Sequence, residues 1–199
     1  MKNKKPSLTI IISDMCGGGT QRVLSQMMRA WIINGHSIKL ITLLNSKDDF
    51  FTPPKEVERV KLDLSTQSYT WFSGIKNNIQ RLVCIRKVIK SNLDSVVISF
   101  IGVTNILTII AASFLNAKIV ISERNDPSRQ SLGLVWNILR KITYPFADVV
   151  TANSRNALVS LGNYIPSSKL ILVPNPITLP TNVKFKKKRI LSFSCWKAS

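Results

Sequence analysis

Two short stretches carry residue types that could do chemistry. The first is Gly17-Gly18-Gly19, set between five consecutive apolar or β-branched residues (Leu8–Ile12) and apolar positions at helical spacing: Val23, Leu24, Met27, Met28 and Trp31. A buried strand, a glycine turn and a helix start form the opening unit of a doubly wound α/β fold. Glycines let a backbone approach a ligand closely, and the first amides of a helix favour an anion there. The second stretch is Glu123-Arg124-Asn125-Asp126-Pro127, directly after the expected strand 118–122. Polar side chains at the carboxyl end of a strand sit where open α/β sheets place their ligands.

Neither stretch completes a nucleotide motif. A dinucleotide fingerprint needs a third glycine three residues after the second, but Arg22 follows the contiguous three. It also needs an acid after the second strand, where Leu43-Leu44-Asn45 stands. No Gly-Lys-Ser/Thr follows, which excludes a nucleoside-triphosphate loop of that type. A glycine turn of this kind serves either the turn itself or the approach of a ligand. No cluster of His, Cys and carboxylates has metal-ligand spacing, so no metal is expected. The only histidine, His36, opens the second strand and reads as structural.

The elements that must position these residues alternate strand and helix throughout. Strands are expected at 8–12, 37–44, 57–62, 96–100, 118–122, 148–151 and 169–173. Helices are expected from Thr20 to Asn34-Gly35, over 75–92, 104–115 and 133–143, and after a cap at Asn153 or Ser154. Residues 96–117 carry no charge, long enough for a membrane helix, but Gly102, Thr104 and Asn105 interrupt them. They read as strand, turn and buried helix. The 65–74 stretch holds Tyr69, Trp71 and Phe72 in a polar setting, either an exposed aromatic loop or a small satellite core. The helix at 75–92 has a basic face (Lys76, Arg81, Arg86, Lys87, Lys90) that either is solvated or rests on anionic headgroups.

Composition bounds the rest. The 199 residues carry 28 Lys and Arg against 10 acids, a net charge of +18, with 45% hydrophobic residues. The chain is globular, and its charge implies a polyanionic neighbour such as nucleic acid, anionic lipid or a phosphorylated substrate. Cys16, Cys84 and Cys195 form no disulfide framework, which suits a cytoplasmic protein. The amino terminus reads as strand rather than signal peptide. Residues 1–176 are expected as one domain. Residues 177–188 read as a linker with the basic run KFKKKR, solvated or in contact with a polyanion. Residues 189–199 read as the start of a second domain.

GGTQRV (residues 18–23), NGHSIKLIT (34–42), ISERNDP (121–127), and ADVVTANSRNALVSLG followed by KLILVPNPI (147–162, 169–177) occur in this order. Together they resemble the family-4 glycosyltransferases, retaining and metal-independent enzymes of the GT-B fold. ISERNDP is similar to bacterial members that build capsule, O-antigen or lipid-linked oligosaccharide. The resemblance implies an α/β, Rossmann-like doubly wound parallel sheet, the amino-terminal half of a GT-B fold. It implies that the second, donor-binding half is missing: its Arg/Lys pair and Glu-x7-Glu element do not occur, and RILSFSCWKAS begins like that half's first strand while CWKAS departs from its opening turn.

The resemblance also implies substrates and the residues that would meet them. The donor is a nucleotide sugar, whose diphosphate Gly17, Gly18 and Gly19 would approach. The acceptor sits on polyprenyl diphosphate at the cytoplasmic leaflet, reached by peripheral attachment to an anionic membrane surface. Glu123, at or near the position where many relatives carry histidine, is the candidate catalytic residue, orienting the acceptor or stabilising positive charge at the anomeric carbon. Arg22, Arg124 and Asn125 are candidates for acceptor binding, a guanidinium fork suiting two phosphate oxygens. The alternative for the 123–125 trio is a capped loop with a Glu–Arg ion pair. No cofactor is expected, and nucleic acid is disfavoured because no groove-reading motif is present. Two other readings remain: a non-catalytic remnant that binds lipid or acceptor, and a basic nucleic-acid-binding protein.

Overall fold

A computed structural model of the chain describes residues 5–44, 49–64 and 71–176, the side chains of 71–73 excepted. Seven strands form one parallel sheet in the order β3-β2-β1-β4-β5-β6-β7. They are β1 (Leu8–Ile12), β2 (Ile38–Leu44), β3 (Glu58–Leu64), β4 (Val96–Phe100), β5 (Lys118–Glu123), β6 (Val149–Ala152) and β7 (Leu170–Leu172). The helices are α1 (Gly19–Ile33), α2 (Trp71–Lys90), α3 (Gly102–Ala112), α4 (Leu134–Thr143) and α5 (Arg155–Gly162). This is the Rossmann-like doubly wound α/β sheet that the sequence implied.

Strand periodicity divides the core in two. Leu8, Ile10 and Ile12 of β1 face one side with Leu24 and Met28 of α1. Ile11 faces the other, with Ile85 and Ile89 of α2, Ile106 of α3 and Leu161 of α5. Ile10, Ile11 and Ile12 are wholly buried, each contributing about 1.5–3 kcal/mol of apolar burial. A strand covered on both faces reads as a continuous apolar run, which is why β1 and β4 are legible to the residue.

Because α1 lies on one face and α3 on the other, the connections leaving β1 and β4 diverge. They open a crevice at the carboxyl ends of those neighbouring strands. Ile101, at the β4–α3 corner of this crevice, has φ 73°, a left-handed conformation that β-branched residues rarely adopt.

Three expectations need correction. Trp71 and Phe72 belong to the first turn of α2, not to a loop, since that helix starts four residues before its first expected position. The helix expected at 104–115 runs from Gly102 to Ala112 and stops where Phe114 turns left-handed at φ 62°. Glu123 is the last residue of β5 rather than the first of a loop. Of the two expected cap candidates it is Ser154 that caps α5, accepting from Ala157 N at 3.2 Å. The uncharged 96–117 run does form strand, turn and buried helix. Among the described residues no helix is long and apolar enough to cross a membrane. Tyr69, the 177–188 linker and the 189–199 segment lie outside the described residues.

Candidate active site

The glycine turn stands on one rim of the crevice. Asp14, two residues past β1, accepts from Cys16 N at 3.0 Å and from Gln21 Nε2 at 3.2 Å through the same oxygen. That Asx turn bends the chain into Gly17–Gly19, all three exposed. Gly18 caps α1 in extended conformation, φ −176°, which any residue adopts. A Cβ on Gly19 would meet nothing within 4 Å, and one on Gly18 would meet only the movable end of Gln21. At Gly19 neither torsion nor packing within the chain demands a glycine. What the three glycines leave is a bare helix start, with amides that have no partner inside the helix. Arg22 begins the second turn and is exposed.

The other rim is built differently. Glu123 is 1% exposed and both of its oxygens are engaged. Oε2 accepts from Tyr144 Oη at 2.7 Å, and Oε1 accepts from the backbone N–H of Arg124 at 3.1 Å and of Asn125 at 3.3 Å. Behind Tyr144 the chain of bonds continues: Asn105 Nδ2 donates to Tyr144 Oη at 3.2 Å, and Ser99 Oγ donates to Asn105 Oδ1 at 2.8 Å. Burial raises the Glu123 carboxyl above its ordinary value, opposed by the hydrogen bonds it accepts and by the nearby Arg140 charge. Burial likewise drives the Tyr144 hydroxyl well above its usual range, which keeps it a donor.

Glu123 thus turns inward, and Arg124 turns towards the crevice. Its guanidinium lies over the Phe100 ring, 5.6 Å from the centroid. Nη1 donates to Asn175 Oδ1 at 3.1 Å and weakly to Val173 O at 3.4 Å, while Nη2 meets the Met27 sulfur at 3.3 Å. Only 7% exposed, Arg124 has no carboxylate partner among the described residues, its Nε is unpartnered, and burial pulls its pKa down. A buried cation satisfied only by neutral acceptors is suited to receive an anion. Asn153 Nδ2 holds the Arg124 carbonyl at 2.8 Å. Asn125 is half-buried, and Asp126 is taken up by Ser128 of the same loop and by Ser160 of α5.

Of the candidate residues, Gly17–Gly19 follow the carboxyl end of β1 and Arg124 follows that of β5, its guanidinium reaching Met27 of α1. Arg22 is on the outer side of α1, and Glu123 is behind the rim. The capped-loop alternative holds for Glu123, but among the described residues no ion pair joins it to Arg124. Sequence reasoning missed Asp14, Tyr144, Asn153 and Asn175. Asn105 did leave a signal, as a carboxamide inside an apolar helix that had to find partners. His36 pairs away from the crevice, its Nδ1 lying 2.9 Å from Pro6 O.

Known proteins share this architecture. In sequence the chain is 24% identical over 188 residues to a Campylobacter jejuni protein, GalNAc-alpha-(1->4)-GalNAc-alpha-(1->3)-diNAcBac-PP-undecaprenol alpha-1,4-N-acetyl-D-galactosaminyltransferase. The match covers 94% of this chain and 51% of that protein. In structure it is similar to the apo form of the lipopolysaccharide outer core galactosyltransferase WaaB, with TM-score 0.67 and 13% identity over 92% of this chain and 50% of that one. It is similar also to UDP-GlcNAc 2-epimerase from Methanocaldococcus jannaschii, with TM-score 0.60 and 20% identity over 85% of this chain and 45% of that one. These structural likenesses show the fold, which transferases and epimerases share. The chain spans about half the length of the relatives it matches. The profile of Glycosyltransferase Family 4 matches residues 17–179, and the chain belongs to that family.

Proposed function

We propose that this chain is the acceptor-side half of a transferase that moves a sugar from a nucleotide-sugar donor to a lipid-linked oligosaccharide or polysaccharide precursor at the inner leaflet of the cytoplasmic membrane. The observation that carries this reading is family membership over residues 17–179, joined to a relative whose name specifies an undecaprenol-PP-linked acceptor. The crevice supports it. Its two rims offer a bare helix start and a buried guanidinium, both suited to phosphate oxygens.

In this reading Gly17–Gly19 approach the donor diphosphate through backbone amides, without side chains to keep it at a distance. Arg124 exchanges its neutral acceptors for acceptor phosphate, with Asn125 beside it and Arg22 adding long-range charge from the outer side of α1. Glu123 is the candidate catalytic residue by resemblance, yet its two occupied oxygens favour a positioning role, holding the Arg124–Asn125 backbone from behind. The chemistry needs no resident metal or cofactor, because charge on the leaving diphosphate is met by amides and cations. The donor half supplies the rest of the site, so residues 1–199 alone are expected to bind acceptor and transfer little.

The test is a transfer assay with nucleotide sugars and polyprenyl-diphosphate-linked acceptor, run with the 199-residue chain alone and joined to a family-4 donor half. Transfer only by the joined protein supports the reading. Robust transfer by the chain alone overturns the expected inactivity, and no acceptor binding by either overturns the reading itself.

A further inference from the structure

Two buried donors without partners line one cavity. It has a volume of about 270 Å³ and lies between the loop after β5, the last turn of α4 and the end of α5. Its walls include Pro127, Ser128, Arg140, Lys141, Ser160 and Tyr164. Arg140 is 6% exposed, and among the described residues only its Nη2 is engaged, 3.0 Å from Asn137 Oδ1 and 3.5 Å from Pro127 O. Arg140 Nε is buried with no hydrogen-bond partner, and so is the Tyr164 hydroxyl. Burial pushes that hydroxyl up to about 12, so it keeps its proton to donate at neutral pH.

Leaving a buried donor unmade costs more than a made bond returns, and native folds hold few such groups. Here both are donors, and one carries a full positive charge. No carboxylate pairs with Arg140 among the described residues. Glu123 feels its charge, but both Glu123 oxygens already accept from Tyr144 and the backbone. Asp126 accepts from Ser128 and Ser160 and lies 3.9 Å from Arg129. Lys141 adds a second cation at the exposed side of the cavity. Water would satisfy a lone donor but leave the guanidinium charge unmatched, whereas an oxyanion meets donors and charge together. The cavity is small beside ordinary cofactor pockets, which suits a single phosphate group better than a nucleotide.

We propose that this cavity binds a free oxyanion of the phosphate class, held by Arg140 and Tyr164 with Lys141 at its rim. This site lies outside the transfer reading and does not rest on it: none of Gly17–Gly19, Arg22, Arg124 and Asn125 lines the cavity. The two places are still joined by one loop, since Pro127 and Ser128 follow Arg124 and Asn125 in sequence. Asn137 strengthens the tie, its Oδ1 also accepting from Leu132 N at 3.2 Å, where the same loop ends. An anion on Arg140 therefore fixes the loop to α4 and to the end of α5, and phosphate level becomes a signal read at the Arg124 turn.

The experiment is amide NMR of the 199-residue chain titrated with inorganic phosphate, chloride being withdrawn to hold ionic strength constant. Saturable shifts are expected at the amides of Ser128, Lys141 and Tyr164, and none at Gly17–Gly19. Tyr164→Phe should weaken phosphate binding about fivefold, as for one neutral hydrogen bond, and leave stability unchanged, because that hydroxyl has no partner in the fold. Arg140→Gln should weaken it about thirtyfold, as for a charged bond, the same spectrum reporting whether the fold is kept. Geranyl diphosphate and UDP should leave the three amides unmoved at the same concentration. No sugar is transferred in any arm, so a failed transfer assay leaves this result standing, and the reverse. Shifts that never saturate and spread over the surface cations would mean an adventitious ion only and overturn the proposal. Unchanged affinity in Tyr164→Phe would overturn it too. So would movement of the three amides by geranyl diphosphate or UDP but not by inorganic phosphate, which would assign the cavity to a substrate.

Discussion

The turns that follow β1 and β5 offer polar groups by opposite means. On the glycine rim nothing but backbone is offered, and the chain invests in absence: three residues without side chains, shaped by one Asx turn from Asp14. On the Glu123–Asn125 rim a side chain is offered, and it is braced from behind. Glu123 fixes the backbone, Tyr144 fixes Glu123, and Asn105 fixes Tyr144. The difference predicts where mutation will be felt as lost stability and where as lost binding alone. Bracing residues are buried and costly to remove, whereas the bare rim is free to change.

The largest effect should come from Glu123→Ala. It strands the Tyr144 hydroxyl and two backbone N–H groups in a buried setting, and a loss of about 3 kcal/mol or more is expected in chemical denaturation. A loss under about 1 kcal/mol would break the contrast between the rims. Tyr144→Phe removes one donor and keeps the ring, so about 1–2 kcal/mol is expected, with faster amide exchange at Arg124 and Asn125 as the specific sign of a loosened brace.

The ionisation of Glu123 sharpens the same point. Its folded pKa is raised above the ordinary value of 4.5. Between that value and the raised one, the folded chain holds a proton the unfolded chain has released. Stability must therefore fall as pH rises through this window, and the penalty is complete above it. Stability measured across that range should lose this slope in Glu123→Gln; an unchanged slope would assign it to another group. The Asp49 carboxyl, held low by Arg59, works in the other direction. Its contribution is present above 3.8 and lost as pH falls through its depressed value.

Arg124→Gln should leave stability within about 1 kcal/mol, because a buried guanidinium with neutral partners is itself costly to bury. Titration calorimetry with inorganic diphosphate should nonetheless show affinity reduced by about tenfold, as for loss of one charge-assisted bond. The smallest change in stability is expected for Gly19→Ala. The site is open space at a helix start, so a gain of up to about 1 kcal/mol is expected while diphosphate affinity declines. A destabilised Gly19→Ala would show that the glycines serve the fold rather than the approach of a ligand.

The fold was legible to the extent that its signals are local. β1 and β4 lie at their expected limits because continuous apolar runs have no other stable home in a two-faced core. The start of α2 was obscured by the polar residues around Tyr69 and Trp71, and the end of α3 by a left-handed Phe114 that no propensity favours. The glycine turn was legible as a turn between β1 and α1, because strand, glycines and helix are neighbours in sequence. The site was not legible behind Glu123, because the partner that decides whether that carboxyl faces out or in is Tyr144, 21 residues away. Arg124 depends on Asn175, 51 residues on.

The strand order also has a consequence for how the chain is made. β1 precedes the other strands in the chain, yet it lies inside the sheet, between β2 and β4. β2 can cover one flank soon after synthesis, but the other flank waits for β4 at residues 96–100, which α2 must carry back across two strands. Until then a nascent chain would display the open edge of a wholly buried strand. At ordinary rates of about 5–20 residues per second, that exposure lasts for seconds. This half-built sheet is the species that a ribosome-bound chaperone would have to shield.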